Sequence, residues 1–442
     1  MSSSSDAEVT LEVFVHQVSG HFPMASLDNQ LVCKAFNERE HRFYTRASGR
    51  LRPWLPAFEG TMEVEAAEDA DGFITLRGTP PVNYLRKRKQ SKPGSASPVA
   101  RSKSSTSECS TTETVPIVGT PPQFRLKRRE SAEFNPSTSL PISPSHFEKL
   151  MNDRKNSFEE CISPPASAPL FCNPWALKCH RHHLQNLGIL QKPDSDLLSV
   201  DVEVNTSSED ISSASEPLSQ AGKKVKKKNK KAAPPPQNPQ VYLLLENLVA
   251  GYTHPCVIDI KIGTRQYADN VSTAKKERKM AKAASSTIST LGLRLSGMQV
   301  YRGAGGGRFL CRDKYYGRAL SDDGFFGAIE EYLLVEPEDQ DEKPSLRLDV
   351  LEALDERVAK MAKTVESLES YRFYTSSLLI TYDGEQKNVP GSQLINLRII
   401  DFAHATFEGL DDEVKHEGPD QGFLFGLKSL RQILSKLKLK WT

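Results

Sequence analysis

Apolar positions change their spacing along the chain, and the changes predict its elements. Leu11, Val13 and Val15 alternate with polar residues, and Leu31-Val32-Cys33 is a second short apolar run, so both predict strands. The amphipathic stretch NEREHRFYTRA, ahead of Pro53 and Pro56, predicts a helix, giving an N-terminal order of strand, strand, helix. Asn173 as a cap, Pro174 at the first helical position and the apolar face of Leu177, Leu184 and Leu187 predict a helix from Pro174 to about Leu187. The continuous run VYLLLENLV suits a strand buried on both faces, and CVIDIKIG is a second such run. Residues 271–291 predict a helix, and residues 346–370 a longer one with Leu351, Leu354, Val358, Met361 and Val365 on one face. SSLLITYDG and LRIIDFAHA read as strands, and a last helix is expected from about Gln421 to Leu439.

Composition separates these segments. Residues 86–170 are rich in Ser, Pro, Lys and Arg, and residues 191–239 run from an acidic Ser-rich stretch into the lysines of Lys223 to Lys231 and a Pro234–Pro236 spacer. Such stretches do not bury enough apolar surface to offset their ordering entropy and are expected to be disordered inserts. What remains, roughly 270–300 residues, suffices for one large core or a two-lobed one. The seven cysteines, scattered from Cys33 to Cys311, form no disulfide framework and suggest a reducing compartment, cytoplasm or nucleus. No apolar run reaches the ~18 residues of a membrane span, and the opening MSSSSDAEVT lacks the features of a secretion signal. A net charge of +2 decides little, because local charge matters more than the sum.

The chemistry concentrates in a few motifs. In PCVIDIKIG, Asp259 and Lys261 lie two residues apart on one face of a strand, aimed at a common point; a structural ion pair is the competing reading. In LRIIDFAHA, Asp401 ends a strand, where a carboxylate is placed to hold a divalent metal over ATP phosphates, or else to cap a turn; His404 follows three residues later. Lys275, Arg278, Lys279 and Lys282 recur at helical spacing and stack four cations on one face, which suits a polyanion. No recognition-helix pattern or interleaved aromatics accompany that stripe, so specific nucleic-acid binding is not expected. Lys34 on a strand and Glu40 on the next helix match the kinase arrangement in which a lysine grips phosphates and a glutamate holds the lysine. GAGGGRF lacks the ending of a phosphate loop and reads as a turn, and the Cys172, Cys179, His180, His182, His183 group fits no common zinc spacing.

Pro255 to Gly263, together with Ser376 to Leu379 and Ile400 to Phe402, resembles the inositol polyphosphate kinase family and its P-x-x-x-D-x-K-x-G signature. FVHQVSGH, NPWALKCH, LLLENL and LRLSGMQVY resemble its inositol hexakisphosphate kinases in particular. The resemblance implies an α+β, two-lobed fold related to protein kinase and ATP-grasp architecture, carrying long disordered inserts. It implies a disordered start at 1–10, an N-lobe at 11–85, a helical segment at 171–190, and a hinge and C-lobe at 240–442. It also implies ATP and Mg2+ as cofactors, and inositol hexakisphosphate or another inositol polyphosphate as acceptor. By position, Lys34 and Glu40 would serve the ATP phosphates, and the backbone of Glu246, Asn247 and Leu248 would receive adenine. Asp259 would bind ribose, Lys261 would lie between donor and acceptor, and Asp401 would hold the metal. Lys275, Lys276, Arg278, Lys279, Lys282 and His404 would hold the substrate. The alternatives are a multikinase acting on hydroxyls of lower inositol phosphates and a non-catalytic scaffold. A monomer is expected, with protein partners for the inserts.

Overall fold

The computed structural model describes residues 8–68, 73–82, 84, 126–127, 173–186, 240–303, 308–337, 343–385, 390–410 and 414–442. Apart from Leu126 and Lys127, both stretches expected to be disordered inserts lie outside the described residues, as does the Lys223–Lys231 run.

The described residues form two lobes, each built on an antiparallel sheet. The first lobe contains β1 (Val9–Val13), β2 (Ala25–Leu27), β3 (Leu31–Ala35), β4 (Phe58–Glu68), β5 (Phe73–Gly78), β6 (Leu126–Lys127) and β7 (Gln240–Glu246). Their order is β1-β2-β3-β7-β4-β5-β6, and β1 also pairs with β5, so the sheet curls back on itself. β1 starts inside the stretch expected to be unstructured because Val9 and Thr10 pair with Gly78 and Arg77. β6, within the first insert, pairs with Phe73 and Ile74. The sequence reading missed β4 and β5. In β4, buried Met62 and Val64 alternate with glutamates, a half-buried pattern that charge obscures. Cys33, Met62, Tyr242 and Leu244 pack inside this lobe, whereas helix α1 (Glu38–Arg46) puts Phe43 into the core of the second lobe.

Helix α2 (Pro174–Asn186) precedes the second lobe, whose sheet holds β8 (Pro255–Ile262), β9 (Leu293–Arg302) and β10 (Arg308–Arg312). A small ribbon of β11 (Leu334–Val335) and β12 (Ser345–Leu346) follows, and β13 (Ser377–Asp383) and β14 (Asn396–Ile400) complete the large sheet in the order β10-β9-β8-β13-β14. Its apolar face, with Ile258, Ile260, Met298, Leu378 and Ile399, lies in one large core, to which α3 (Thr273–Ala284) contributes no buried residue. The packing helices are α5 (Asp322–Leu333), α6 (Leu348–Glu366) and α7 (Gln421–Trp441), with α4 (Lys314–Ala319) set against β9. The helix expected over 271–291 stops at Ala284, and a separate turn, Ile288–Leu291, ends on Gly292 in the left-handed region. GAGGGRF joins two antiparallel strands, as its reading as a turn requires; residues 304–307 lie outside the described residues.

The loop between β1 and β2 leaves its own lobe and lies on β9. Gly297 makes this possible, since a Cβ there would overlap the Val18 carbonyl. Helix α2 fastens the loop: Asn173 N donates to Val15 O at 2.8 Å, Trp175 Nε1 to Gly20 O at 3.1 Å, and His180 Nε2 to Met24 O at 3.0 Å. Asn173 also reaches Gln299, whose Nε2 donates to His16 Nδ1 at 3.0 Å. Accepting at Nδ1 needs a neutral His16, whereas His180 donates in either state; burial pushes both down to about 4. Cys179 and His180 thus face the loop, and Cys172 of the group weighed as a metal cluster lies outside the described residues.

A folded-state pKa below the unfolded value means that the unfolded chain takes up protons first as pH falls. The stability contributed by neutral His16 and His180 is therefore fully present above about 6.5 and is lost as pH falls towards 4. The thermal midpoint should fall over that window, with a shallower slope in His16→Gln and His180→Gln. Identical slopes in wild type and both variants would show that neither histidine is held neutral.

Candidate active site

The site lies where the two sheets face each other, and Lys34 ties them together. Its Nζ donates to Glu40 Oε1 at 2.8 Å and to Asp401 Oδ1 at 2.7 Å, joining β3, α1 and the end of β14. Burial works against the Lys34 charge, but Asp401 and Glu40 outweigh it and raise the pKa above that of an ordinary lysine. The local sequence explains why these groups meet. Asn37 accepts from Glu40 N and starts α1, and Phe43, one turn further, stacks on Phe402 with ring centroids 4.2 Å apart. Phe402 follows Asp401, so one apolar contact fixes both carboxylates around the lysine. Asp401 has a positive φ of 67° and a carbonyl that accepts from Ser376 Oγ at 2.9 Å. This strained turn aims its carboxylate into the cleft. Burial raises the Asp401 pKa, but Lys34 and Lys261 more than reverse this and keep it low; His21, from the β1–β2 loop, adds to their effect.

Asp259 and Lys261 share one face of β8, as their spacing predicts. They form no ion pair: Lys261 Nζ donates to Thr375 O at 2.8 Å. Asp259 is 2% exposed and accepts from Ser19 Oγ of the β1–β2 loop. Its Oδ1 makes no hydrogen bond of normal geometry, although Ser377 on β13 stands close enough to favour its charge. Burial, with Asp401 adding to it, raises the Asp259 pKa.

The hinge residues Glu246, Asn247 and Leu248 connect the lobes. Two of their N–H groups are engaged inside the protein, Glu246 N with Ala57 O at 2.8 Å and Asn247 N with Gln30 O at 2.9 Å. Only the Leu248 N–H is left as a hinge donor, while Leu248 O accepts from Thr381 and Asn396.

On the other side of Lys261 the cations gather around His404. Burial is the first cause of its pKa falling to about 4, followed by the charges of Lys275, Lys279, Arg39 and Lys261. Of the helical stripe, Lys275 and Lys279 act on this histidine, whereas Lys276 sits over the ring of Tyr267. Arg278 and Lys282 are exposed on α3. Ser19, His21 and Arg39 escaped the sequence reading. The FVHQVSGH segment that carries the first two stood out as a motif, but nothing in its spacing tied it to residues 240 positions away.

A family model described as inositol polyphosphate kinase matches residues 242–435. Inositol hexakisphosphate kinase 3 of Homo sapiens is 31% identical over 462 residues, covering 98% of this chain and 96% of the relative. Inositol hexakisphosphate kinase 1 of Mus musculus is 31% identical over 473 residues, covering 99% and 95%. A crystal structure of inositol phosphate multikinase Ipk2 from S. cerevisiae, in complex with ADP and Mn2+, is 26% identical, with a TM-score of 0.37 over 45% of this chain and 84% of that one. Matching such relatives almost end to end, the chain belongs to the inositol polyphosphate kinase family.

Proposed function

We propose that the protein is an inositol hexakisphosphate kinase, transferring the γ-phosphoryl group of ATP to a phosphate of inositol hexakisphosphate. The new bond joins an acceptor phosphate oxygen to the γ-phosphorus, the bond from that phosphorus to the β,γ-bridging oxygen breaks, and ADP leaves. The relatives' names support this choice of acceptor. The observation that carries it is Lys34 held at once by Glu40 and Asp401, with Lys261 beside them facing the cations around His404. Such an acceptor oxygen is already anionic, so no strong general base is needed, and the protein's task is to hold two polyanions together.

Lys34 binds donor phosphates, and Glu40 keeps it in place. The Leu248 N–H receives adenine. The β1–β2 loop, with Ser19 and His21, covers the phosphate end of the cleft and keeps water from it. Lys261 exchanges its bond to the Thr375 carbonyl for the phosphates on either side, while neutral His404 and charged Lys275, Lys279 and Arg39 hold the acceptor. The donor set fits Mg2+, which is bound by one or two carboxylates together with substrate phosphates. Asp401 Oδ2 and Asp259 Oδ1 make no hydrogen bond of normal geometry, so both carboxylates retain an oxygen for it. When bound, the ion would neutralise charge on the β- and γ-phosphates.

Incubation with ATP and fully phosphorylated inositol should yield a product bearing one pyrophosphate, observable by phosphorus NMR. A purified protein that turns over only acceptors with free hydroxyls would be a multikinase, and one that turns over neither would be a scaffold.

Asp401→Asn removes one charge at nearly constant volume and should lower turnover more than about a hundredfold, with the fold retained. Lys261→Ala should also cost about a hundredfold or more while ATP binding partly survives. Near-normal turnover in either variant would remove that residue from the mechanism.

Lys275→Gln combined with Lys279→Gln should raise the acceptor KM about tenfold or more and leave the ATP KM within about twofold. The same change should move the His404 pKa up from about 4 towards 6.5, seen in an NMR titration of the ligand-free protein. A His404 that titrates as before would show that these lysines do not face it.

A further inference from the structure

A second group of cations lies outside the set around His404 and has no carboxylate partner among the described residues. Lys178 on α2 and Lys314 on α4 share the same two rings. Their Nζ atoms lie 5.0 Å and 5.0 Å from the Trp175 centroid, and 5.3 Å and 5.5 Å from that of Tyr315. Arg318, one helical turn beyond Lys314, stands 5.7 Å from the Tyr315 ring. Two glycines bring this group onto the catalytic sheet. A Cβ at Gly317 would overlap the Leu295 carbonyl, so α4 lies directly against β9, and Gly297 admits the loop that Trp175 holds through Gly20. Next to Leu295 on β9 is Arg294, paired in register with Lys261 on β8, so their side chains leave the same face. The guanidinium of Arg294 feels both Arg318 and Asp259. The cations therefore run without a break from Lys261 through Arg294 and Arg318 to Lys314 and Lys178.

None of Lys178, Arg294, Lys314 and Arg318 forms an ion pair among the described residues. The nearest acid on α4, Asp313, uses its Oδ1 to cap the helix by accepting from Tyr315 N and Tyr316 N. We propose that these four residues, arranged around Trp175 and Tyr315, form a second anion site that takes phosphate groups of a polyphosphorylated molecule. Guanidinium groups suit phosphate geometry, and the two ammonium groups over one ring pair supply further donors. A singly charged ligand would leave most of this repulsion in place, so the ligand carries several negative charges.

The electrostatics agree with that placement. Burial, then Arg318 and Lys178, lowers the Lys314 pKa to about 8, against weaker opposing effects of Cys179 and Asp313. Lys178 is lowered by burial, with Asp313 and Cys179 opposing. Arg294 is lowered to about 10 by burial and Arg318, with Asp259 opposing. A bound polyanion restores the Lys314 proton, so its affinity should fall as pH rises through about 8.

The test is a lysine acylation footprint of the full chain at pH 8, read by mass spectrometry, where Lys314 is about half neutral and reactive. Inorganic tripolyphosphate and inositol hexakisphosphate are the probes, and exposed Lys436 is the control. Each probe should slow acylation of Lys178 and Lys314 by about fivefold or more without protecting Lys436, and Arg318→Gln should weaken the protection. Absence of protection at Lys314 by both probes at millimolar concentration would overturn the site.

Kinetics identify the ligand, and this arm rests on the proposed kinase activity. A several-fold rise in acceptor KM in Lys314→Gln combined with Arg318→Gln, at constant ATP KM, means that the acceptor itself reaches the site. Unchanged kinetics together with lost protection means that a separate polyphosphate molecule binds there. A chain without kinase activity would overturn the proposed function and leave the footprint as an independent measure of the site.

Discussion

Lys34 Nζ is bonded to a carboxylate on each side of the cleft, 2.8 Å from Glu40 and 2.7 Å from Asp401. Glu40 is 1% exposed, and the lysine and the Phe402 N–H supply the partners that a buried carboxylate needs. Glu40 is the buried member of the set, whereas Lys34 and Asp401 keep some contact with solvent, so removing the lysine costs most through the Glu40 carboxylate it leaves behind. The aromatic stack of Phe43 on Phe402 sets the distance over which the set can form. Catalytic geometry and lobe docking therefore depend on the same few atoms, and an error in packing beneath Asp401 is an error in the site.

The floor of the cleft depends on a different constraint, the close approach of backbone to backbone. Gly297 admits the β1–β2 loop and Gly317 admits α4, and each would need rearrangement to accept a Cβ. The loop reaches Asp259 through Ser19 and is fastened from behind by Asn173, Trp175 and His180. Helix α2, separated from both lobes in sequence by the two inserts, is thus part of the cleft wall. Its cap and its proline at the first helical position begin the helix at the point where Asn173 can bond to Val15 and Gln299.

Much of this was legible in the sequence because it rests on local rules. The buried strands around Tyr242 and Ile258, the start of α2, and the apolar face of α6 follow from periodicity and capping alone. Lys34, Glu40 and Asp401 were identified through a kinase pattern, and the structure brings them within hydrogen-bond distance of one another. Lys276 shows a signal that was present but unused, since one residue of helix rotates a side chain by about 100°, away from the face of Lys275 and Lys279. The engaged hinge donors are not readable, because Gln30 O and Ala57 O come from the segments just ahead of β3 and β4. Arg39, whose Nε donates to Ala405 O, acts near His404 only through tertiary packing.

The same side chain is driven in opposite directions at two ends of one cleft. Lys34 has a raised pKa because Asp401 and Glu40 outweigh its burial, whereas Lys314 has a lowered one because burial, then Arg318 and Lys178, act against its charge. His404 falls for the second reason as well as for burial. A near-neutral chain of net charge +2 thus sets carboxylate-bound Lys34 apart from two groups of cations, one around His404 and one around Trp175 and Tyr315. Repulsion within those groups is stored in the folded protein and is relieved only when negative charge arrives from outside. Strands β8 and β9, which carry Lys261 and Arg294, are tied into the large core of the second lobe, whereas α3, with Lys275 and Lys279, buries no residue. Affinity for a polyanion then comes partly from its own hydrogen bonds to the cations and partly from the repulsion it relieves, and the second contribution depends on how firmly the close glycine approaches and α2 hold the cations together.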